Sequence, residues 1–291
     1  MNGILLIDKP RDWTSHDVVG KLRGILRQRR IGHSGTLDPM ATGLLVVFVG
    51  RATRAVEFAE SHEKEYLAGL RLGIETDTQD ITGQVLQTCA RMVPREELEE
   101  VLPRFTGDIF QIPPMYSAIK VQGKKLYEIA RKGGEVERKP RPVTISKLEL
   151  LGEEQGDWNL DVVCSKGTYI RTLCHDIGQA LGTGGTMSAL RRVHAGQFSI
   201  EDALTLEQVQ QAAEEGRAEE LLLPVDRLFD QYPALKLHSG GERRCRAGNQ
   251  IPVQVSDGTY RVYGPAGDFL ALGRVENGIC KTIKSFFEVE T

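Results

Sequence analysis

The segment that most restricts this chain runs Gly32-His33-Ser34-Gly35-Thr36-Leu37-Asp38-Pro39-Met40-Ala41-Thr42-Gly43. Its glycines at 32, 35 and 43 permit tight turns and close approach of backbone to a ligand. Pro39 pushes Asp38 out of the helical region, so the carboxylate stands on a loop from which it can point into a cleft. Taken alone, the same residues also fit an ordinary Asp-Pro turn. No Gly-Lys-Ser or Gly-Lys-Thr follows, which excludes a P-loop, and the chain holds no G-x-G-x-x-G fingerprint. Both flanks are regular. Thr14 to Asp17 has the T-x-x-D form of a capping box. Val18, Val19, Leu22, Ile25 and Leu26 then follow helical spacing, which predicts a helix ending near Arg30 with Gly32 as its stop. Leu44 to Val49 reads as a buried strand.

Other elements can be read in the same way. Gly3 to Ile7 is a short buried strand, and Tyr66, Ala68, Leu70 and Leu72 alternate along another. Thr82-Gly83 marks a turn. Pro94 opens a helix with Leu98, Val101, Leu102 and Phe105 on one face. Val143 to Leu150 and Trp158 to Cys164 look like paired strands. Tyr169 to Leu181 is predicted helical and closed by Gly182, and Thr205 starts another helix with Gln208 in the capping-box position. Ile112 to Pro142 is long, basic and weakly periodic, as functional or mobile loops are. After Asp230, short β-like runs (Gln250 to Val255, Thr259 to Tyr263, Phe269 to Leu272) alternate with glycine turns. The expected organisation is a larger domain over residues 1–229 and a small β-rich domain over 230–291.

Charge narrows the partners less than its sum suggests. The net charge of −3 argues mildly against nucleic acid. Its distribution is uneven: Lys21 to Arg30 holds five basic residues and no acid, Ser117 to Lys147 nine basic against three acidic, and Glu201 to Glu220 seven acids and one Arg. Local field outweighs the sum, so a basic RNA-binding face stays open beside the plainer reading of solvated faces. No secretory signal follows Met1, and no apolar run is long enough to span a membrane. The five cysteines are scattered and none forms C-x-x-C, so neither a disulfide framework nor a zinc site is expected, and a reducing cytoplasm fits.

A second signal is Ser165-Lys166-Gly167-Thr168-Tyr169-Ile170-Arg171-Thr172-Leu173. Arg171 falls in the first turn of a predicted helix, where the dipole disfavours a cation. Either an anionic partner offsets this or the side chain leans into solvent. Tyr66 on an alternating strand and His33 in the loop have ordinary readings too, as core packing and as a loop hydrogen-bonder. No His, Cys, Asp or Glu cluster has zinc spacing, and no G-x-S-x-G elbow occurs.

Several blocks occur together and in order: Gly-Ile-Leu-Leu-Ile-Asp-Lys-Pro at 3–10, the 32–43 loop, Gln-Ile-Pro-Pro-Met-Tyr-Ser-Ala-Ile-Lys at 111–120, Gly-Lys-Lys-Leu-Tyr-Glu at 123–128, and the 165–173 segment. Taken together, the chain resembles the bacterial tRNA pseudouridine-55 synthase family over essentially its full length. The tail, with Arg246-Ala-Gly-Asn-Gln, resembles the PUA-type RNA-binding domain through weaker motifs. The resemblance implies an α+β fold: a bent mixed sheet flanked by helices over residues 1–229, then a small β-barrel-like PUA domain.

It also implies roles. Asp38 matches the family's catalytic aspartate, Arg171 the arginine paired with it, and Tyr66 the aromatic that stacks on the target uracil. Tyr169 and Leu190 match pocket walls, His33 the residue filling the space of the flipped base, and Lys9 a structural lysine near the pocket. Ser34 and Met40 stand where many relatives have Thr and Leu, which are conservative changes. The expected partner is the T stem-loop of tRNA, held in part by a basic arm bearing Lys120, Lys124, Lys125 and Arg131. No cofactor, metal, membrane or obligate protein partner is expected. Isomerisation breaks an N–C bond and makes a C–C bond with no net redox change or hydrolysis, so one nucleophilic carboxylate can split a hard step in two. The target base must leave its stack. Rival expectations are a non-catalytic tRNA-folding chaperone, which would not need Asp38, and a metal-dependent hydrolase using Asp38 and His33, which a chelator would silence.

Overall fold

The computed structural model describes residues 1–117, 119–121, 123–130 and 132–287. β1 (Gly3–Lys9) leads into α1 (Ser15–Ile25), β2 (Ile31–Ser34) and β3 (Thr42–Val49). Then come α2 (Val56–Glu60), β4 (Lys64–Leu72), a hairpin of β5 (Ile74–Thr76) and β6 (Val85–Thr88), and α3 (Arg95–Val101). β7 (Gly107–Gln111) precedes the short pair β8 (Lys120–Val121) and β9 (Lys124–Lys125), with α4 (Leu126–Ala130) behind it. β10 (Arg141–Glu154), β11 (Asp157–Cys164), α5 (Ile170–Ala180), β12 (Gly185–Ala195), β13 (Phe198–Ser199) and α6 (Leu206–Glu214) complete the larger part. The tail adds β14 (Ala234–Lys236), α7 (Ser239–Arg246), β15 (Ile251–Pro252), β16 (Gly258–Tyr263), β17 (Phe269–Glu276) and β18 (Ile279–Ser285).

The main sheet runs β1-β3-β12-β4-β11-β10-β7, with β2 also on β3 and β13 on β12. Its parallel contact is between β12 and β3, where Arg191 and Arg192 face Thr42 and Gly43. That seam lies where the Asp38 loop enters β3. β12 also pairs antiparallel with β4, and its register slips at Met187/Ala189 and Arg192/His194. Such bulges bend a sheet and increase its twist. One face carries α5: Ile170, Leu173, Cys174 and Ile177 share a core with Ala68, Leu70, Leu160, Val162, Met187, and with Leu37, Met40 and Ala41 of the loop.

The fold agrees with the expected α+β class, a bent mixed sheet flanked by helices with a small curled β tail ordered β14-β16-β17-β18-β15. Several elements differ from the sequence reading. α1 ends at Ile25, before Arg30, because Arg27 takes a left-handed φ of 48°. Gly32 is therefore not its stop. Gly32 and His33 belong to β2, pairing with Phe48 and Val47, so the free loop shrinks to residues 35–41. Pairing there satisfies backbone groups along an otherwise open edge of β3. The weakly periodic 112–142 stretch contains the β8/β9 pair and α4. In the tail β15 covers only Ile251–Pro252, and β14, β18 and α7 have no counterpart in the reading.

The tail is also not loosely attached. Phe269, Leu272 and Phe286 pack with Val225, Leu228 and Phe229 and with Ile4, Leu6 and Phe48 of the main sheet. The Phe269 and Phe286 rings stack at 5.2 Å, and Tyr263 donates to Asp226 at 2.6 Å.

Candidate active site

The loop around Asp38 is fixed on both sides of that residue. Ser15, at the start of α1, accepts from the Leu37 N–H at 3.0 Å and donates to the Leu37 carbonyl at 3.3 Å. The Ala41 N–H closes a turn on the Asp38 carbonyl at 3.1 Å. Lys9, fully buried on β1, donates to the carbonyls of Pro10, Trp13 and Pro39 at 2.9, 2.6 and 3.2 Å. Burial pushes its amine down to about 8, against the upward pull of the Asp38 charge. Leu37, Met40 and Ala41 are buried, while Asp38 keeps 36 % of its side chain exposed. The neighbours are thus locked while the carboxylate stays partly exposed.

Arg171 sits in the first turn of α5 and is only 5 % exposed. Its Nε lies 2.9 Å from Asp38 Oδ2 and its Nη2 donates to Oδ1 at 3.4 Å. Nη1 donates to the Thr78 carbonyl at 3.0 Å and Nη2 to the Tyr116 carbonyl at 2.8 Å. A second buried carboxylate, Asp80, lies 3.9 Å from Nη1. Its own Oδ1 accepts from the Thr78 hydroxyl and from both the N–H and hydroxyl of Thr82. Of the two readings left open for Arg171, the structure shows the anionic partner, with two carboxylates near the guanidinium. α5 has Tyr169 as N-cap with no side-chain cap of its own. The buried Gln111 amide instead clamps Tyr169, accepting from its N–H at 3.0 Å and donating to its carbonyl at 3.2 Å.

Tyr66 and Leu190 come from adjacent strands, with Tyr66 opposite Arg192 and Leu190 opposite Ala68. Leu190 shares the core with Leu37 and Met40, and partly buried Tyr66 packs against it. Burial raises the phenols of Tyr66 and Tyr169; Arg192 opposes the shift at Tyr66, and Ser117 opposes it at Tyr169. Lys9, Tyr66 and Tyr169 all feel the Asp38 charge, so these groups converge on it. His33 stands further off, on β2. Its ring meets His16 edge-on at 5.7 Å, its buried Nδ1 has no partner among the described residues, and burial pushes it down to about 4.

Of the expected arm, Lys120, Lys124 and Lys125 fall on the β8/β9 pair, while Arg131 lies outside the described residues. The base of the arm is tied to the site: the Tyr127 N–H donates to the Ser117 carbonyl, one residue from Tyr116. Sequence reasoning missed Arg192, Asp80, Thr78 and Gln111. Arg191-Arg192 breaks the alternation of β12, and Asp80 sits in a polar turn with no periodicity. Among the described residues, no group of three or more His, Cys, Asp or Glu is arranged to hold a metal, and no helix is long and apolar enough to cross a membrane.

Comparison with known proteins agrees with this architecture. Residues 23–170 match the TruB family pseudouridylate synthase N-terminal domain, and residues 171–230 the tRNA pseudouridylate synthase B C-terminal domain. The tRNA pseudouridine synthase B of Syntrophotalea carbinolica is 47% identical over 249 residues, 85% of this chain and 81% of that protein. Its namesake in Clostridium kluyveri is 40% identical over 292 residues, 98% of this chain and 100% of that protein. A chain from a solved Cbf5-Nop10-Gar1 complex superposes with a TM-score of 0.75 at 27% identity, covering 98% of this chain and 85% of its own length. The chain therefore belongs to the TruB family of pseudouridylate synthases.

Proposed function

We propose that this protein converts the uridine at position 55, in the T-arm loop of tRNA, to pseudouridine, flipping the base into the Asp38 pocket and using Asp38 as nucleophile without a cofactor. The coarser statement, uridine isomerisation in tRNA, rests on its family and on the shared name of its relatives. The observation that carries the finer reading is the Asp38–Arg171 pair: a partly exposed carboxylate held by a guanidinium that is itself only 5 % exposed. A carboxylate held in place by a fixed guanidinium is positioned to act as a nucleophile.

The remaining assignments follow. Tyr66 stacks on the flipped uracil, a contact of roughly 1–3 kcal/mol. Tyr169 and Leu190 wall the pocket, Lys9 fixes the loop through Pro39, and His33 fills the stack the base vacates. Residues 1–229 form the catalytic domain and 230–291 a PUA-like RNA-binding domain. The arm with Lys120, Lys124, Lys125 and Arg131 holds the T stem. The protein works in the cytoplasm and needs no obligate protein partner.

The test is to incubate the protein with unmodified tRNA and map pseudouridine by position. One modified uridine in the T-loop, absent with Asp38→Asn, is the expected result. Binding without modification would sink the proposal and leave a folding chaperone. Loss of activity on removing a protein-bound metal would favour the hydrolase.

A further inference from the structure

Arg192, on β12, is the largest fully buried side chain among the described residues, at 1 % exposure. Unlike Arg171 and Arg191, it has no carboxylate within ion-pair distance among those residues. Its Nε donates to the Leu44 carbonyl at 2.7 Å and its Nη2 to the Gly35 carbonyl at 3.0 Å. Those two acceptors stand on either side of Asp38 in the chain. The backbones meet closely as well. Arg192 faces Gly43 in the parallel register, and a Cβ on Gly43 would run into the Arg192 carbonyl oxygen. A Cβ on Gly35, where φ is +69°, would come 3.2 Å from Nη1. The slip in β12 between Arg192 and His194 is the kind of irregularity that re-aims a side chain.

We propose that Arg192 is a positioning residue for the isomerisation: it clamps both ends of the loop that carries Asp38 and so fixes where the carboxylate stands against the target nucleotide. This rests on the reaction proposed above. Four side chains share the work of holding the loop. Ser15 holds Leu37, Lys9 holds the Pro39 carbonyl, Arg171 holds the Asp38 carboxylate, and Arg192 holds the carbonyls of Gly35 and Leu44. Of these four, Arg192 is the one that bonds on both sides of Asp38.

The residue type suits the task. A lysine or glutamine presents its donors on one nitrogen, whereas a guanidinium presents them on separate nitrogens in a fixed plane. Two carbonyls from separate segments need the second arrangement. A buried lysine also loses its proton more readily. Lys64, whose Cε would lie 3.9 Å from the same Gly35 Cβ, is pushed down to about 8, with burial as the largest cause. An arginine stays charged throughout. Misplacing a reacting group by about 1 Å costs roughly 10²-fold in rate. A loosened clamp should therefore slow the chemistry while RNA still binds.

The experiment has two arms. The first follows amide hydrogen exchange in the full-length protein without RNA. The Leu37 and Ala41 N–H groups, both hydrogen-bonded, should exchange faster in Arg192→Lys than in the parent. The second measures single-turnover pseudouridine formation and tRNA affinity in Arg192→Lys, with thermal unfolding recorded alongside. Val209→Ala, which truncates a fully buried side chain of α6, serves as a variant destabilised away from the loop. Arg192→Lys should slow the bound reaction roughly tenfold or more, with affinity close to the parent's. Val209→Ala should react as fast as the parent. Unchanged exchange in the loop, a full rate despite faster exchange, a loss confined to affinity, or equal slowing in Val209→Ala would each overturn the proposal. If Arg192→Lys does not fold, Gly35→Ala, which keeps the arginine and crowds its Nη1, is held to the same criteria. A wild-type protein that makes no pseudouridine would refute the reaction itself, while the exchange arm would still decide whether Arg192 holds the loop.

Discussion

Arg171 and Asp38, 133 residues apart in sequence, meet through two guanidinium nitrogens, Nε to Oδ2 at 2.9 Å and Nη2 to Oδ1 at 3.4 Å. The remaining Arg171 hydrogen bonds go to the Thr78 and Tyr116 carbonyls, with Asp80 3.9 Å from Nη1. One planar fork thus ties together the Asp38 loop, the turn after β5 and the segment leading to β8. A lysine has a single ammonium and cannot span these acceptors. Arg171→Lys is expected to keep the fold and tRNA binding but lower single-turnover rate by roughly 10²-fold, the scale of a 1 Å misplacement. Asp38→Asn should abolish turnover with binding and melting temperature nearly unchanged. Stopped chemistry with intact binding is the outcome to look for, and robust turnover by Asp38→Asn would falsify its role as nucleophile.

The loop and the helix start that form this site were legible in the sequence, while the pairing of their residues was implied by the family resemblance. A cation in the first turn of a helix left two readings open for Arg171, an anionic partner or a side chain leaning into solvent; the structure shows the first, and its pairing with Asp38 was implied only by the family resemblance. The capping boxes at Thr14 and Thr205 form as read. The seam between β12 and β3 was not legible. β12 has bulges that interrupt its alternation, and a buried Arg192 looks like a surface residue when burial is judged by type. Asp80 and Gln111 were missed because they act through geometry fixed by distant strands. The attachment of the tail was hidden too, since Phe229, Phe269 and Phe286 meet only once the chain has folded.

His33 predicts a pH dependence. Burial lowers its imidazole to about 4 from an ordinary 6.5. The unfolded chain binds a proton as pH falls through 6.5, whereas the folded protein takes it up only near 4. Stability is therefore fully present above 6.5 and declines as pH falls between those values. NMR titration of the His33 ring should give a midpoint well below 6. Replacing it with Asn should flatten stability loss over that window, as measured by denaturant unfolding. A midpoint near 6.5 would contradict this account.

The shared core predicts how the tail behaves on truncation. Phe286 is 2 % exposed and packs on Phe229 and Phe269. Phe286→Ala should cost about 3–5 kcal/mol, the usual range for a buried phenylalanine. Deleting residues 231–291 should also destabilise the larger domain by exposing Phe229, Val225 and Leu228. Urea unfolding of both variants tests this, and a truncated protein as stable as the parent would mean that the packing contributes little.

The last prediction concerns the basic segment from Lys120 to Arg141. A protein of net charge −3 repels RNA at long range. Within a Debye length of about 8 Å at physiological salt, only local charge counts. This segment offers Lys120, Lys124, Lys125, Arg131, Lys132, Arg138, Lys139 and Arg141 against Glu128, Glu135 and Glu137. Leu126 is buried at its base, and the Leu126 N–H donates to the Ile119 carbonyl at 2.8 Å. The β8/β9 pair that carries Lys120, Lys124 and Lys125 thus begins three residues after Ser117, beside the Arg171 contacts. RNA seated over Asp38 would pass under it. Each phosphate contact removed flattens the logarithmic salt dependence of affinity by roughly 0.7 to 0.9 units. Changing Lys124, Lys125 and Arg131 together to Ala should therefore weaken tRNA binding and reduce that slope, while saturating tRNA restores most of the single-turnover rate. The same affinity and slope in the triple variant would mean that the hairpin is merely solvated and the RNA is held elsewhere.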